Sequence, residues 1–324
     1  MKKLSFVIPC YRSENSITAV VSEIDDALRD GGYQYEIILV NDNSPDDVWS
    51  VICDLCEKRD DVIGLNLAKN FGQHSALMAG YRHVTGDYVF TMDDDGQTPA
   101  EAIPILLSKL MEGFDVVYGK YEERKDSTFR KLGSRFNNYM MEKMIGKPKE
   151  IHLTSFFVAR RFVIDKICEY HNPFPYIWGL VVRTTHNIAN VTITHRERSG
   201  GDSGYTLRKL LHLWVNGLTA FSVKPLRVAS MFGMLVSVVG FFALIYTIVD
   251  RILNPDMPPG YSAMMSAILI VGGVLMILLG MLGEYIGRIY ICINDSPQYV
   301  IRDSRGVIYD RKGKDDGEID SADA

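Results

Sequence analysis

The chain has 324 residues, with 40 acidic and 35 basic side chains and a formal net charge of −5. Its mean hydropathy of +0.01 excludes neither a soluble nor a membrane protein, because such a value can average a polar part and a very apolar part. The five cysteines are typical of a reducing compartment, and Cys53 and Cys56 have no second pair in the sequence that would complete a zinc site. Nucleic acid is not among the expected partners.

The N-terminal part of the chain alternates between short apolar runs and segments with helical periodicity. This alternation predicts an α/β domain with a mostly parallel sheet, because right-handed crossovers place successive strands side by side. The predicted strands are 4–8, 36–40, 62–67, 88–92 and 116–118. The predicted helices are 17–29, 45–58, 74–84 and 100–111.

Three consecutive aspartates at positions 93–95 directly follow the predicted strand 88–92. Carboxylates crowded at the end of a strand are costly unless a cation neutralises them. Ligands of open α/β sheets bind outside the carboxyl ends of the strands, so the cluster predicts a divalent metal that holds a phosphorylated substrate. A solvated acidic turn is the alternative. Thr98, Pro99 and Glu101 predict a helix start that would fix the cluster against the sheet.

Further candidate ligands follow the first two predicted strands. Pro9, Tyr11 and Glu14 come at the end of the first strand, and Asp42 follows the second. An aromatic ring beside carboxylates is what a nucleotide base and its ribose need, one for stacking and the others as hydrogen-bond acceptors. Each residue alone fits ordinary turn chemistry, but acidic residues after three strands of one sheet favour a nucleotide site.

Two stretches near the C-terminus, 228–249 and 261–283, contain no charged residue. Each is long enough to cross a hydrocarbon core of roughly 30 Å, and two buried core helices are the alternative. Basic residues precede the first stretch and follow the second, which predicts that the N-terminal part and the tail both lie in the cytoplasm. The apolar run after Met1 is too short for a signal peptide.

The predicted organisation has four parts. Residues 1–206 form a cytoplasmic catalytic domain, and 207–226 form an amphipathic helix that lies in the headgroup region or packs on the globular domain. Residues 227–292 hold the two transmembrane helices, and 293–324 form a cytoplasmic tail whose end is disordered. Glycines in the two spans allow close helix contact, so a homo-oligomer is expected.

Six motifs stand out along the chain: Val7-Ile8-Pro9, Val40-Asn41-Asp42-Asn43-Ser44, Asn70-Phe71-Gly72-Gln73-His74-Ser75, Asp93-Asp94-Asp95-Gly96-Gln97, the 198–205 segment and Leu282-Gly283-Glu284-Tyr285-Ile286-Gly287-Arg288. Their combination resembles the inverting glycosyltransferase family 2, which has the GT-A fold, and within it the polyprenyl-phosphate glycosyltransferases. That group includes dolichyl-phosphate mannose synthases and bacterial undecaprenyl-phosphate sugar transferases. The resemblance covers residues 3 to about 300.

The resemblance implies a role for each matching residue. Nucleotide binding would fall to Pro9, Tyr11, Glu14 and Asp42, with Asp93. The metal, Mg²⁺ or Mn²⁺, would be held by Asp93, Asp95 and Gln97, whereas Asp94 is excluded from the metal shell. The catalytic set would be Asp93, Asp95, Arg130 and Arg198. The acceptor and phosphates would contact Lys120, Arg130, Lys131, Arg135, Arg198, Ser203 and Tyr205. A solvated or headgroup-binding basic face is the alternative for these last residues.

Three positions depart from the family pattern. Ile151 and Phe157 stand where relatives carry an aspartate and an arginine, and Gly204 replaces a lysine. A mechanism that needs an aspartate base at position 151 is therefore in doubt. A phosphate monoester is largely a dianion near neutral pH and can attack without a base. His152 is a candidate substitute base, and a structural histidine is the alternative reading.

The implied activity is transfer of a sugar, with inversion, from a nucleotide diphosphate sugar to polyprenyl phosphate. A UDP-sugar donor and undecaprenyl phosphate are favoured, for the synthesis or modification of a cell-envelope glycan such as lipopolysaccharide. The enzyme would be a multi-pass protein of the cytoplasmic (inner) membrane. One alternative is transfer onto a growing glycan or another lipid. The other is an inactive nucleotide-sugar-binding scaffold, which the three departures favour and the intact Asp93, Asp95 and Gln97 oppose.

Overall fold

The computed structural model describes residues 2–29, 31–121, 142, 146, 148–194, 224–253, 260–294 and 296–306. The chain divides into two compact units. The first contains Met1–Gly204 and Ser296–Ala324, and the second is Tyr205–Asp295.

An eight-stranded sheet forms the centre of the first unit, in the order β7-β5-β6-β4-β1-β2-β3-β8. Only β6 and β8 run antiparallel to their neighbours, so the predicted mostly parallel α/β sheet is confirmed. The strands are β1 (Lys3–Cys10), β2 (Gln34–Asn41), β3 (Val62–Leu67), β4 (Tyr88–Thr91), β5 (Val116–Tyr121), β6 (Phe157–Arg160), β7 (Ile188–Ile193) and β8 (Ile301–Arg305).

Helices cover both faces of this sheet. Alternate residues of β1, including Phe6 and Ile8, belong to the core beneath α1, α2 and α4, whereas Val7 points to the other face. There α3 lies so close that a Cβ built on Gly80 would be 2.3 Å from Val7 Cγ1. The helices of this unit are α1 (Ile17–Leu28), α2 (Val48–Lys58), α3 (Gln73–Tyr81), α4 (Ile103–Met111), α5 (Arg161–Cys168) and α6 (Ile177–Thr184).

The carboxyl ends of β1, β2, β4 and β5 lie at one edge of the sheet, and β6 begins at the same edge. Pro9 lies inside β1 and is buried, not in the following loop. The proline ring is tolerated in this central strand because the backbone nitrogen of Pro9, like the backbone groups of Val7, points toward β4. There the β1–β4 ladder ends with the bond from Met92 N to Val7 O, so no N–H is required of Pro9.

Two predicted helix starts are wrong. Helix α2 begins at Val48, not at residue 45, because the Ser44 hydroxyl is bonded to Asp46 within the preceding loop. Thr98 does not cap a helix: a short 3₁₀ turn, Ala100–Ala102, precedes α4, and neither the turn nor α4 has a side-chain cap hydrogen bond. The core elements otherwise match their predicted positions to within a few residues.

The eighth strand comes from the segment that the sequence assigned to a tail. β8 pairs antiparallel with β3, with Asp303 opposite Asn66. Just before it, Gln298 is buried and its Nε2 donates to the carbonyl oxygens of Tyr170 at 2.8 Å and Asn172 at 2.7 Å. Residues 296–306 are therefore an integral part of the first unit.

Two long helices, α7 (Lys224–Leu253) and α8 (Tyr261–Ile293), form the described part of the second unit. They contain the predicted spans 228–249 and 261–283. Large apolar side chains face outward, among them Met231 at 71% and Met276 at 78% exposure.

Within the residues that the structure describes, one helical stretch, Ile270–Ile293, is long and apolar enough to cross a membrane, with a mean hydropathy of 1.9. A shorter apolar stretch is Met231–Phe242. The two-span organisation, like the other predicted domain boundaries, stays a prediction. Nearly all of the predicted interfacial helix 207–226 and the predicted disordered end of the tail lie outside the described residues.

Candidate active site

Asp93 follows β4 and is held from two sides. Its Oδ1 accepts a hydrogen bond from Gln73 Nε2 at 3.1 Å, and its Oδ2 accepts one from the Ser155 hydroxyl. Gln73 is the first residue of α3, and Ser155 lies just before β6. Three separate segments of the chain therefore fix the orientation of this carboxylate.

Burial raises the pKa of Asp93 to about 6. The neighbouring charges of Asp95 and Asp94 add to this effect, and the hydrogen bonds from Ser155 and Gln73 oppose it. A half-buried carboxylate among like charges is the arrangement that a bound cation relieves. Perturbed groups of this kind are also typical of functional sites.

Asp95 is exposed, and its Oδ1 accepts a hydrogen bond from Gln97 N at 3.0 Å. Gly96 lies between them with φ of 70°, a backbone conformation that glycine adopts without strain. The described residues contain no group of three or more His, Cys, Asp or Glu side chains that could hold a metal alone. The donor set is nevertheless appropriate for Mg²⁺, which proteins commonly bind through one or two carboxylates together with substrate phosphates.

Asp94 has partners outside the metal candidates. Its Oδ2 accepts a hydrogen bond from Tyr11 N at 2.8 Å, and its backbone oxygen accepts one from Ser16 Oγ at 2.6 Å. The carboxylate thus ties the turn after β4 to the loop after β1. The exclusion of Asp94 from the metal shell stays a prediction.

The loop after β1 carries two of the predicted nucleotide-binding residues. Tyr11 is 44% exposed, and the Arg12 guanidinium lies 5.7 Å from the centre of its ring. Glu14 is half-buried, and its Oε2 accepts a hydrogen bond from Asp47 N at 2.9 Å. A second hydrogen bond joins the same two loops, because Glu14 N donates to Asp46 Oδ2 at 3.0 Å. The loops after β1 and β2 therefore form one connected surface.

Asp42 lies at the end of β2 and is buried, and this burial raises its pKa. Its two carboxylate oxygens accept hydrogen bonds from Phe71 N at 2.7 Å and Gly72 N at 2.8 Å. The next residue, Gln73, contacts Asp93. Asp42 therefore anchors the loop that positions one of the partners of Asp93.

Lys120 and Tyr121 end β5 at the same edge of the sheet. Burial raises the pKa of Tyr121, and the charges of Asp93 and Asp95 add to this, which places the phenol near both carboxylates. Lys120 points to the opposite face of the strand by the alternation of side chains. Lys120 is among the site residues predicted from the sequence, and Tyr121 is not. An aromatic residue in a strand is an ordinary core residue and gives no signal of a functional site.

Gln73 and Ser155 were also missed as partners of Asp93, although both lie in motifs that the sequence had singled out. Together with His74 and Trp178 they line a small cavity. Burial lowers the pKa of His74 to about 4, so its ring is neutral at physiological pH. The cavity is therefore uncharged on that side.

Phe157, which departs from the family pattern, and His152, the candidate base beside Ile151, have structural partners. Phe157 is buried in β6, opposite Thr91 and Tyr118. The backbone of His152 is held by Asn190, which accepts from His152 N at 2.8 Å and donates to its carbonyl oxygen at 2.7 Å. The remaining predicted site residues lie outside the described residues: Arg130, Lys131, Arg135, Arg198, Ser203 and Tyr205. So does Gly204, which replaces the family's lysine.

Comparison with solved structures supports the fold. A mannosyl-3-phosphoglycerate synthase from Rubrobacter xylanophilus is 17% identical, with a TM-score of 0.51 over 68% of this chain and 73% of that chain. A glucosyl-3-phosphoglycerate synthase from Mycobacterium tuberculosis, in complex with Mn²⁺ and UDP-glucose, is 18% identical, with a TM-score of 0.49 over 64% and 74%. The similarity to the mannosyl-3-phosphoglycerate synthase, at 17% identity, concerns the fold alone, and the similarity to the glucosyl-3-phosphoglycerate synthase carries no conclusion about this chain.

Sequence comparison is more specific. The undecaprenyl-phosphate 4-deoxy-4-formamido-L-arabinose transferase of Klebsiella pneumoniae subsp. pneumoniae is 35% identical over 305 residues, which is 93% of each chain. The model of the GtrB C-terminal hairpin matches residues 224–289, and the model of glycosyl transferase family 2 matches residues 5–168. The matched region contains the acidic turn after β4 and the loops after β1 and β2. The chain thus belongs to glycosyltransferase family 2.

Proposed function

We propose that this protein transfers a sugar from a nucleotide diphosphate sugar to undecaprenyl phosphate, with inversion at the anomeric carbon. The observation that carries the proposal is the convergence of Asp93 and Asp95 with Tyr11, Glu14 and Asp42 at one edge of the sheet. Family membership and the named relative, similar over 93% of its length, support the same reaction.

The donor would bind across this edge. Tyr11 would stack on the base, and Glu14 and Asp42 would accept hydrogen bonds from the base or ribose. Asp93, Asp95 and Gln97 would hold a divalent cation, Mg²⁺ or Mn²⁺, together with oxygens of the diphosphate. The chemistry that such a cation supplies when bound is neutralisation of the diphosphate charge that grows as the sugar leaves.

The sugar would lie beside Asp93, next to the cavity that His74 lines. A neutral histidine suits an uncharged sugar better than a phosphate, since it carries no positive charge to attract an anion. The name of the Klebsiella relative makes 4-deoxy-4-formamido-L-arabinose the first sugar to test. UDP is the carrier to test first, because the family resemblance favours a UDP-sugar donor.

The acceptor phosphate would attack without a general base. Position 151 carries isoleucine, and the second ionisation of a phosphate monoester, near pH 6, already supplies a dianion. Lys120, Arg130, Lys131, Arg135, Arg198, Ser203 and Tyr205 are the residues that we propose for contact with the phosphates. An enzyme with this lipid acceptor would work at the cytoplasmic membrane, and we propose that its first unit lies in the cytoplasm.

The test is a transfer assay with the full-length protein in membranes, undecaprenyl phosphate and labelled UDP-, GDP- and dTDP-sugars. We expect one class of donor to yield a lipid-linked sugar, and we expect excess chelator to abolish the product. Asp95→Asn should lower turnover at least about a hundredfold, because one ligand charge is lost. Asp54→Asn, an exposed carboxylate on α2, is the matched control and should leave turnover unchanged.

Three results would contradict the proposal. A folded Asp95→Asn variant with normal turnover would remove the metal role of the acidic turn. Transfer onto a glycan or a different lipid, with none onto undecaprenyl phosphate, would support the rival acceptor class. No transfer with any donor, alongside intact nucleotide binding, would favour an inactive scaffold.

A further inference from the structure

A row of side-chain hydrogen bonds crosses three neighbouring strands, from β8 through β3 to the end of β2. Asn66 Nδ2 donates to Asp303 Oδ2 at 3.1 Å, and Asn41 Nδ2 donates to Asn66 Oδ1 at 2.9 Å. Ser44 N then donates to Asn41 Oδ1 at 3.0 Å. Asn41 is 4% exposed and Asn66 is 9% exposed. Because both side chains are buried, their amides have little access to water as an alternative hydrogen-bond partner.

The row has a direction that Asp303 sets. A carboxylate only accepts hydrogen bonds, whereas a carboxamide donates at its nitrogen and accepts at its oxygen. Asp303 therefore requires the nitrogen of Asn66 on its own side, which turns the oxygen of Asn66 toward Asn41. The same rule then turns the oxygen of Asn41 toward Ser44 N. A hydrogen-bond donor at position 303 would favour the opposite orientation of both amides, with the oxygen of Asn66 toward residue 303. The nitrogen of Asn41 would then face Ser44 N, and two N–H groups would oppose each other.

Ser44 connects the row to both loops of the proposed nucleotide site. Its Oγ accepts a hydrogen bond from Arg12 N at 2.7 Å and donates one to Asp46. Asp46 in turn accepts from Glu14 N at 3.0 Å. Arg12 has φ of 60°, a left-handed conformation that a non-glycine residue keeps only when its surroundings hold it. The orientation of Ser44 therefore bears on the backbone beside Tyr11 and Glu14.

We propose that Asp303 is a positioning residue for donor binding. It lies in the strand that the chain forms after the two long helices, and it acts through Asn66 and Asn41 on the loop that begins at Asp42. This inference rests on the proposed function, since it assumes that the loops after β1 and β2 hold the nucleotide.

The test measures binding of UDP, GDP and dTDP to the full-length protein by calorimetry in the presence of Mg²⁺. Asp303→Lys replaces an acceptor by a donor and places it beside Arg302, whose Nε lies 3.8 Å from the native carboxylate. We expect the affinity for the preferred nucleotide to fall about tenfold. Asp303→Asn retains an acceptor oxygen and should stay within about twofold of the native affinity.

Two further variants separate positioning from general damage. Ser304→Ala changes the neighbouring side chain, on the opposite face of β8, and should leave affinity unchanged. Asn66→Asp in the Asp303→Lys background restores the order of the row, because the new carboxylate accepts from the introduced lysine and from Asn41. Affinity should return to within about threefold of native. With a transferred donor, KM should follow these changes while kcat stays constant.

Equal nucleotide affinity for Asp303→Lys and the native protein would overturn the inference. So would a loss of affinity that Asn66→Asp fails to reverse although both variants keep the native Tm. If the native protein binds none of the three nucleotides, the proposed function fails, and this inference fails with it. Native binding without an effect of Asp303→Lys leaves the proposed function standing.

Discussion

Asp93 carries a cost to stability that follows from its position. Its pKa is about 6 in the folded protein against about 3.8 for an ordinary aspartate, so the folded state binds its proton more tightly than the unfolded state does. In the presence of a chelator, the contribution of Asp93 to the free energy of unfolding should be most favourable below pH 4. It should decline as the pH rises to about 6. Asp93→Asn removes this dependence, because an amide does not titrate in this range.

We therefore expect Asp93→Asn to be inactive and yet more stable than the native protein at pH 7. The free energy of unfolding of Asp93→Asn relative to the native protein should be larger at pH 7 than at pH 4 by about 2–3 kcal/mol. Thermal unfolding of both proteins at pH 4, 5, 6 and 7 in chelator measures it. A constant difference in Tm across this range would show that Asp93 has an ordinary pKa.

Ser155 illustrates how a residue can be visible in the sequence while its role is not. The resemblance drew attention to Ile151 and Phe157, which lack the family's charged groups, and passed over the hydroxyl between them. Ser155 and Gln73 lie 62 and 20 residues from Asp93 in the chain. No local pattern encodes such contacts, because they depend on how β6 and α3 approach the end of β4.

At the scale of elements, the tight contact between α3 and β1 makes a specific prediction. Gly80→Ala places a methyl group 2.3 Å from Val7 Cγ1, so the helix must move away from the sheet. We expect a loss of about 1–3 kcal/mol, as for other overpacked cores. Val7→Ala removes the clashing methyl, and in that background Gly80→Ala should cost much less. Additive losses in a double-mutant cycle, measured by thermal unfolding, would contradict the contact.

The predictable elements share one property: their apolar pattern agrees with their place in the core. β1 to β5 are apolar runs buried between two layers of helices, and the acidic turn follows β4 as predicted. β8 has the sequence Ile-Arg-Asp-Ser-Arg and lies at the edge of the sheet. Charged side chains are usual in an edge strand, and they give the segment the composition of a tail.

At the scale of the whole molecule, β8 constrains the path of the chain. The chain leaves the first unit after Gly204 and rejoins it at Ser296. Both ends of the intervening segment therefore belong to one folded body. If that segment enters a membrane, it must cross an even number of times, as the predicted pair of spans does, and residues 254–260 would then lie on the far side.

Cysteine labelling tests this topology. Met257→Cys should react with a membrane-impermeant maleimide added to intact cells, because the loop would face away from the cytoplasm. Asp60→Cys, at an exposed position of the first unit, is the matched control and should react only after lysis. Native protein, with its five cysteines, gives the background. Labelling of Met257→Cys only after lysis would overturn the two-span proposal.

The late position of β8 in the chain also determines when the sheet can be completed during synthesis. Roughly 230 residues separate the end of β3 at Leu67 from Ile301, so at about 5–20 residues per second the ribosome needs roughly 10–50 s to supply the missing strand. During this interval β3 presents an unpaired edge, and both long helices must leave the ribosome before that edge is covered. The sheet thus reaches completion only after both long helices have been made, which delays a finished form of the proposed donor site until late in synthesis.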